Sequence, residues 1–301
     1  MTATSKRNII ESVGLIIIMA LLLVTAGCSS SGCVGGGGTP SPANKTLNAF
    51  CGAASKPALD EAAQSFEKQT GIKVYLTYGG SGTVLSQMKI SKSGDLYIPG
   101  SPDYITKAER DGLVDPTSVK IISYLVPVIA VQHGNPKNIR SLSDLGKPGI
   151  KVGIGNPETV CVGLYSIEIL GYNHLLEPVS KNIVTYAESC DKTATLVILK
   201  AVDAVIGWHV FHDWNPDGID VVYLEPEQIP RIAYIPAAIS VYAQDKKSAQ
   251  KFIDFLVSTP SQNIFRKWGY FATEAEARKL APHAQIGGEY MLPDVYKQLV
   301  K

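Results

Sequence analysis

Serines, small residues and glycines at the starts of predicted helices are the part of this chain best suited to chemistry. Tyr78-Gly79-Gly80-Ser81-Gly82-Thr83 follows a strand-like alternation (Ile72, Val74, Leu76 against Lys73, Tyr75, Thr77) and precedes a helical pattern of Val84, Leu85 and Met88. A glycine-rich turn of this kind leaves backbone N–H groups bare, and the helix dipole adds partial positive charge at the same place. Such a helix start is an anion site, to which Ser81 adds a hydroxyl donor. The plainer reading makes it a strand–helix connection with Ser81 as the N-cap. What lifts it above that is recurrence. Gly52-Ala53-Ala54-Ser55-Lys56-Pro57 has the same layout, with Ser55 placed to cap and Pro57 in the first turn. Cys161-Val162-Gly163 and Ser189-Cys190-Asp191 each open a further helix.

The chemistry these four turns share is donation by neutral groups. Oxygens of a divalent tetrahedral anion only accept, so N–H and O–H donors satisfy them. Lys56 is the one cationic residue within the turns, and its side chain is expected to point outward along its helix. A buried donor facing a second donor stays unpaired, so such a site disfavours protonated anions.

The elements that must position these turns alternate. Strands are expected at 47–51, 72–77, 95–98, 121–131 (interrupted by Pro127), 150–154, 184–188, 201–208, 219–224 and 232–242 (carrying Pro236). Helices carry Leu59, Ala62 and Phe66, then Leu164, Ile167 and Leu170, then Ala249, Phe252 and Leu256, and finally Ile264, Phe265 and Trp268. Short turns join them, which indicates an α/β architecture with mixed, mainly parallel sheets.

Composition narrows the partners. The 301 residues are 45% hydrophobic and 18% charged with a net charge of +1, and no basic block stands out, which argues against nucleic acid. Lys6 and Arg7, the apolar run 13–24 and Thr25-Ala26-Gly27 before Cys28 read as a secretory signal over residues 1–27. Small residues before a cysteine suggest lipidation of Cys28, with Cys33 the weaker candidate. Residues 28–46, rich in Ser, Gly and Pro, read as a tether holding a soluble body at the outer face of the cell membrane.

Ala53-Ala54-Ser55, Gly80-Ser81-Gly82-Thr83, Asp95-Leu96-Tyr97-Ile98, Gly155-Asn156-Pro157-Glu158 and the closing Asn263-Ile264-Phe265-Arg266-Lys267-Trp268-Gly269-Tyr270 occur in this order. The series resembles the molybdate-binding proteins of ABC importers over residues 47–272. That resemblance implies a two-lobed periplasmic-binding-protein fold: residues 47–125 and 235–301 in the first lobe, 126–234 in the second, and proline-bearing strands at the hinge. It further implies a ligand, molybdate or tungstate, held in the cleft, an ABC permease as partner, a monomeric working unit and no cofactor. On this mapping Ser55 and Ser81 are the oxyanion-holding serines of the first lobe. Val162 and Cys190 offer backbone N–H groups from the second, and Trp208 stands where the family usually has a tyrosine hydroxyl. Helix starts that converge on one small ion are neighbours, so Cys161 and Cys190 are expected close enough for a disulfide. Free thiols, or pairing of one with Cys51, are the alternatives.

Three rivals remain. Sulfate or phosphate would use the same donors. A metal-cation receptor could use His209 and His212, whose segment reads as a loop. A serine-dependent enzyme fits poorly, because Thr83 breaks the Gly-x-Ser-x-Gly pattern around Ser81.

Overall fold

The computed structural model of the chain describes residues 45–294 and 296. The expected signal segment 1–27, Cys28, Cys33 and the tether as far as residue 44 lie outside the described residues. Thr46, placed in the tether by composition, already opens the first strand.

The chain first builds β1 (Thr46–Gly52), α1 (Lys56–Thr70), β2 (Lys73–Gly79), α2 (Ser81–Ser91), β3 (Leu96–Ile98), α3 (Pro102–Arg110) and β4 (Lys120–Leu125). It crosses at Val126 into β5 (Pro127–Gln132), β6 (Val152–Gly155), α4 (Cys161–Tyr172), α5 (Leu176–Ser180), β7 (Ile183–Ala187), α6 (Cys190–Ile198), β8 (Ala204–Trp208), α7 (Phe211–Trp214) and β9 (Ile219–Tyr223). It returns along β10 (Arg231–Ile239) and finishes with α8 (Lys246–Leu256), α9 (Thr259–Lys267), α10 (Glu274–Arg278) and β11 (Gln285–Ile286).

Two sheets result. One has the order β11-β10-β3-β1-β2 with β4 on β10, and the other the order β7-β6-β8-β5-β9. β1 runs parallel to β2 and β3, and β6 runs parallel to β7 and β8. The antiparallel partners belong to β10 and β5, the strands beside the crossings. This is the mixed α/β architecture the alternation of elements predicts, in the two-lobed form the family resemblance implies. Pro236 sits where the pairing of β10 with β4 shifts register, as suits a residue that cannot donate to the ladder. Pro260 does not end a helix: it lies in the first turn of α9, where a missing N–H costs nothing.

Each helix buries the face its spacing presents. In α1, Leu59, Ala62, Ala63 and Phe66 point inward, and Gly71 ends the helix in the left-handed region at φ 71°. Phe66 packs against Phe252 and Phe255 of α8 at 5.0 and 5.5 Å between ring centroids. One apolar cluster runs from Leu47, Phe66 and Tyr97 into Val160, Tyr165 and Trp208, so it continues across the cleft from lobe to lobe. A second gathers Ile129, Val152, Ile154, Ile167 and Ile206. Ala277, Ala281 and Ala284 pack with this second cluster.

Candidate functional site

Both first-lobe turns end parallel strands at their carboxyl edge. Gly52 closes β1 and Gly79 closes β2, in register with one another. Ser55 is the N-cap of α1 and is wholly buried, yet it makes no capping bond; its hydroxyl donates to the Gly52 carbonyl at 3.3 Å. Ser81 is not the cap of α2. Gly80 holds that position, and Ser81 is the first helical residue. Its Oγ accepts from the Gly100 N–H at 3.0 Å, and its hydroxyl proton is directed at the Cys161 sulfur, a weak acceptor. Tyr97 and Tyr270 brace the two turns by donating to the carbonyls of Ser81 and Ala54 at 2.9 and 2.7 Å. Ser55 and Ser81 are therefore brought together through Gly52, where a Cβ would stand 2.5 Å from Ser81 Oγ.

The second lobe meets this edge directly. Gly82 N–H donates to the Thr159 carbonyl at 2.8 Å. A Cβ at Gly80 would stand 2.7 Å from Thr159 O and 2.8 Å from Glu188 O, so only glycine permits this approach. Asn156 shapes the turn after β6 by accepting from Glu158 N–H at 3.0 Å. Helix α4 then starts at Cys161 with no side-chain cap; Gly163 N–H already donates to the Val160 carbonyl at 3.0 Å, and the Val162 N–H faces the Cys161 sulfur. In α6 the cap is Ser189, which accepts from Lys192 N–H, and Cys190 is the first helical residue.

Cys161 and Cys190 are neighbours, as the shared focus of the two helices predicts, but not a disulfide: both are free, with sulfurs 3.3 Å apart. Cys51 is also free and buried, so neither alternative pairing occurs. Burial, then the adjacent Cys190 sulfur, push the Cys161 thiol well above its ordinary range. Cys161 Sγ reaches the first lobe, at 2.7 Å from where a Cβ on Gly100 would lie. Trp208 ends β8 and is fully buried, and its ring meets that of Tyr165 edge-on at 5.1 Å.

None of Ser55, Ser81, Val162, Cys190 and Trp208 carries a charge, although Glu188, Asp191 and Lys192 around the start of α6 line the cavity beside them. Burial raises the phenols of Tyr97, Tyr104 and Tyr165 well above their usual range, so all three remain neutral. Lys56 turns away, its Nζ 4.2 Å from the Tyr78 ring centroid and 3.6 Å from Asp60. The nearest guanidinium, Arg231, lies 4.5 Å from the Tyr165 ring centroid. It is committed to Glu168 at 2.7 Å and Asp103 at 3.0 Å. A cavity of about 500 Å³ opens at the meeting of the lobes, bounded by Gly80, Thr83, Asn156, Thr159, Ser189 and Lys192; Ser55, Ser81 and Trp208 are not on its walls.

The histidines do not form a cation site. His209 directs Nδ1 to Val126 and Nε2 to the Gly269 carbonyl, while His212, in the short helix α7 rather than a loop, directs Nδ1 to the Ile219 carbonyl at 2.6 Å. Among the described residues no cluster of three or more His, Cys, Asp or Glu is arranged to hold a metal.

Residues missed by sequence reasoning are Gly100, Tyr97, Tyr270 and Tyr165. Tyr97 and Tyr270 stand within the motifs quoted above, and Tyr165, four residues after Cys161, shares its helix face; Gly100 left no signal.

A family model described as bacterial extracellular solute-binding protein matches residues 47–271. A Bacillus subtilis (strain 168) protein whose name carries the description ABC transporter substrate-binding lipoprotein is 26% identical, covering 85% of this chain and 96% of its own. Molybdate-binding protein ModA of Escherichia coli K12 is 22% identical, covering 74% and 88%. The periplasmic molybdate-binding protein of Azotobacter vinelandii superposes with a TM-score of 0.67 at 19% identity, over 76% of this chain and all of its own, a likeness of fold.

Proposed function

The chain belongs to the family of bacterial extracellular solute-binding proteins, and from that premise we propose that it captures a tetrahedral oxyanion, molybdate or tungstate, for an ABC importer. The family consists of solute-binding proteins, so the chain is a binding protein and not an enzyme. The observation that carries the ligand reading is the neutral, donor-rich meeting of four helix starts. Ser55 and Ser81 lie on one side, the uncapped first turn of α4 and the start of α6 on the other. Helix dipoles and neutral hydrogen bonds stabilise a dianion there without a counter-charge. The relatives named for molybdate support the same choice.

On this reading the ligand lies between Ser55, Ser81, the backbone N–H groups of Val162 and Cys190, and Trp208. The protein acts outside the cytoplasm as a monomer that delivers its ligand to a permease, anchored by lipid on Cys28. A Bacillus subtilis relative described as a lipoprotein favours the anchor.

Thermal-shift titration of the protein against molybdate, tungstate, sulfate, phosphate and divalent cations tests the proposal. Molybdate or tungstate is expected to raise the melting temperature with the logarithm of its concentration. A response to sulfate alone would keep the site and change the ligand. A response only to cations would overturn the reading.

A further inference from the structure

Two donors at the cleft have no partner among the described residues: Tyr165 Oη and Trp208 Nε1. Both side chains are essentially inaccessible to water, with Tyr165 1% and Trp208 0% exposed. A buried O–H or N–H without an acceptor is costly, and native interiors hold few of them. Here two occur on side chains in ring contact, with ring centroids 5.1 Å apart.

Their place in the fold points to the reason. Trp208 is the last residue of β8, and β6 beside it ends at Gly155, just before the turn into α4. Ligands of open α/β sheets sit outside the carboxyl ends of such strands. Tyr165 lies one turn along α4 from Cys161, the residue whose sulfur reaches both Cys190 and the Gly100 backbone that binds Ser81. Its ring is held from another side by the Arg231 guanidinium at 4.5 Å, itself fixed by Glu168 and Asp103. A phenol clamped in this way meets a ligand without losing further side-chain freedom.

We propose that the Tyr165 hydroxyl donates directly to the bound oxyanion, with the Trp208 indole N–H as its companion donor. This rests on the oxyanion reading above and deepens it. The tyrosine donor of the site is then supplied from helix α4, while the strand end carries an indole. Because an indole N–H only donates, the ligand atom facing Trp208 has to be an acceptor, which favours a fully deprotonated oxygen over a protonated one. Burial keeps the phenol neutral, so it remains a donor.

The test is calorimetric titration of the full chain with molybdate and with tungstate, alongside unfolding of the ligand-free protein. Tyr165→Phe removes one oxygen and keeps the ring. It is expected to weaken binding about ten- to a hundredfold, the range of a hydrogen bond to a charged group. The melting temperature of the ligand-free protein should hold or rise, because an unpartnered hydroxyl has been removed. Trp208→Phe should weaken binding in the same direction. Unchanged affinity in Tyr165→Phe, or failure of that variant to fold, would make the hydroxyl a structural group and overturn the inference. If wild type binds, Ser81→Ala weakens binding and Tyr165→Phe does not, only the role of Tyr165 falls. If wild type binds no oxyanion, the parent reading falls with it.

Discussion

Ser55 and Ser81 both stand at helix starts, Ser55 as the cap of α1 and Ser81 as the first residue of α2, and their hydroxyls stand in different states. Ser81 Oγ accepts from Gly100 N–H and its own proton is directed at the Cys161 sulfur, a weak acceptor that it can leave for a ligand at little cost. Ser55 donates to the Gly52 carbonyl at 3.3 Å and has to give up that weak bond in order to turn toward an anion. Ser81→Ala is therefore expected to cost roughly 1.5–3 kcal/mol of oxyanion affinity, and Ser55→Ala less. Calorimetry on the two single variants and the double variant checks this order, and wild-type affinity in the double variant would place the site elsewhere. Of the thiols, Cys161 touches both Cys190 and the Ser81 hydroxyl. Both thiols are buried and their sulfurs are in contact, and burial holds the Cys161 thiol well above its ordinary range, so it contributes shape rather than charge.

The elements beside the cleft are tied together at the crossings. His209 follows Trp208 and packs against the first crossing. Its Nδ1 accepts from Val126 N–H at 3.1 Å, its Nε2 faces the Gly269 carbonyl at 3.1 Å, and its ring stacks on Phe271 at 4.3 Å. Accepting at Nδ1 requires the neutral imidazole with its proton on Nε2. Burial accordingly lowers the histidine from its ordinary 6.5 to about 4. The folded state thus resists a proton that the unfolded chain takes up below pH 6.5. Stability from this residue is complete above that value and falls as the pH drops toward 4, by about 3 kcal/mol at pH 4. Urea unfolding at pH 7, 5.5 and 4.5 reads the slope, and His209→Asn should flatten it; an unchanged slope in the variant would assign the effect to other groups. A second tie is the buried group of Arg231, Glu168 and Asp103, which joins β10 to α4 and α3. Loss of one carboxylate would leave the guanidinium undercompensated, the costly way to break a buried pair.

At the scale of the molecule, two sheets are linked at Val126 and again at the start of β10. The lobes touch through Gly82 and Thr159, through the Gly80 turn, and through an apolar cluster shared across the cleft. A ligand reaches buried hydroxyls in this arrangement only if the lobes part, so hinge bending is expected to accompany binding. Small-angle scattering of the protein should show a smaller radius of gyration with saturating molybdate than without it. Superimposable curves would count against a cleft that closes on its ligand.

The alternation of apolar periods, the helix starts and the α/β class were all legible in the chain, because each depends on residues within a few positions of one another. The glycine–serine turn at Ser81 and the helix opening at Cys161 are local features of that kind. What no local pattern carried was which groups, distant in the chain, would share a space. Gly100 supplies the N–H that engages Ser81 from 19 residues away, and Tyr270 reaches Ala54 from 216. The state of the cysteines, the commitment of both histidines to backbone carbonyls and the unpartnered hydroxyl of Tyr165 are likewise outcomes of packing. A donor becomes satisfied or orphaned only when the opposite lobe arrives. The amino-acid sequence by itself determined the kinds of donor present and the elements that hold them; the tertiary structure decided which of those donors were already used by the protein, because burial removes water and leaves each polar group only the partners that folding brings within reach.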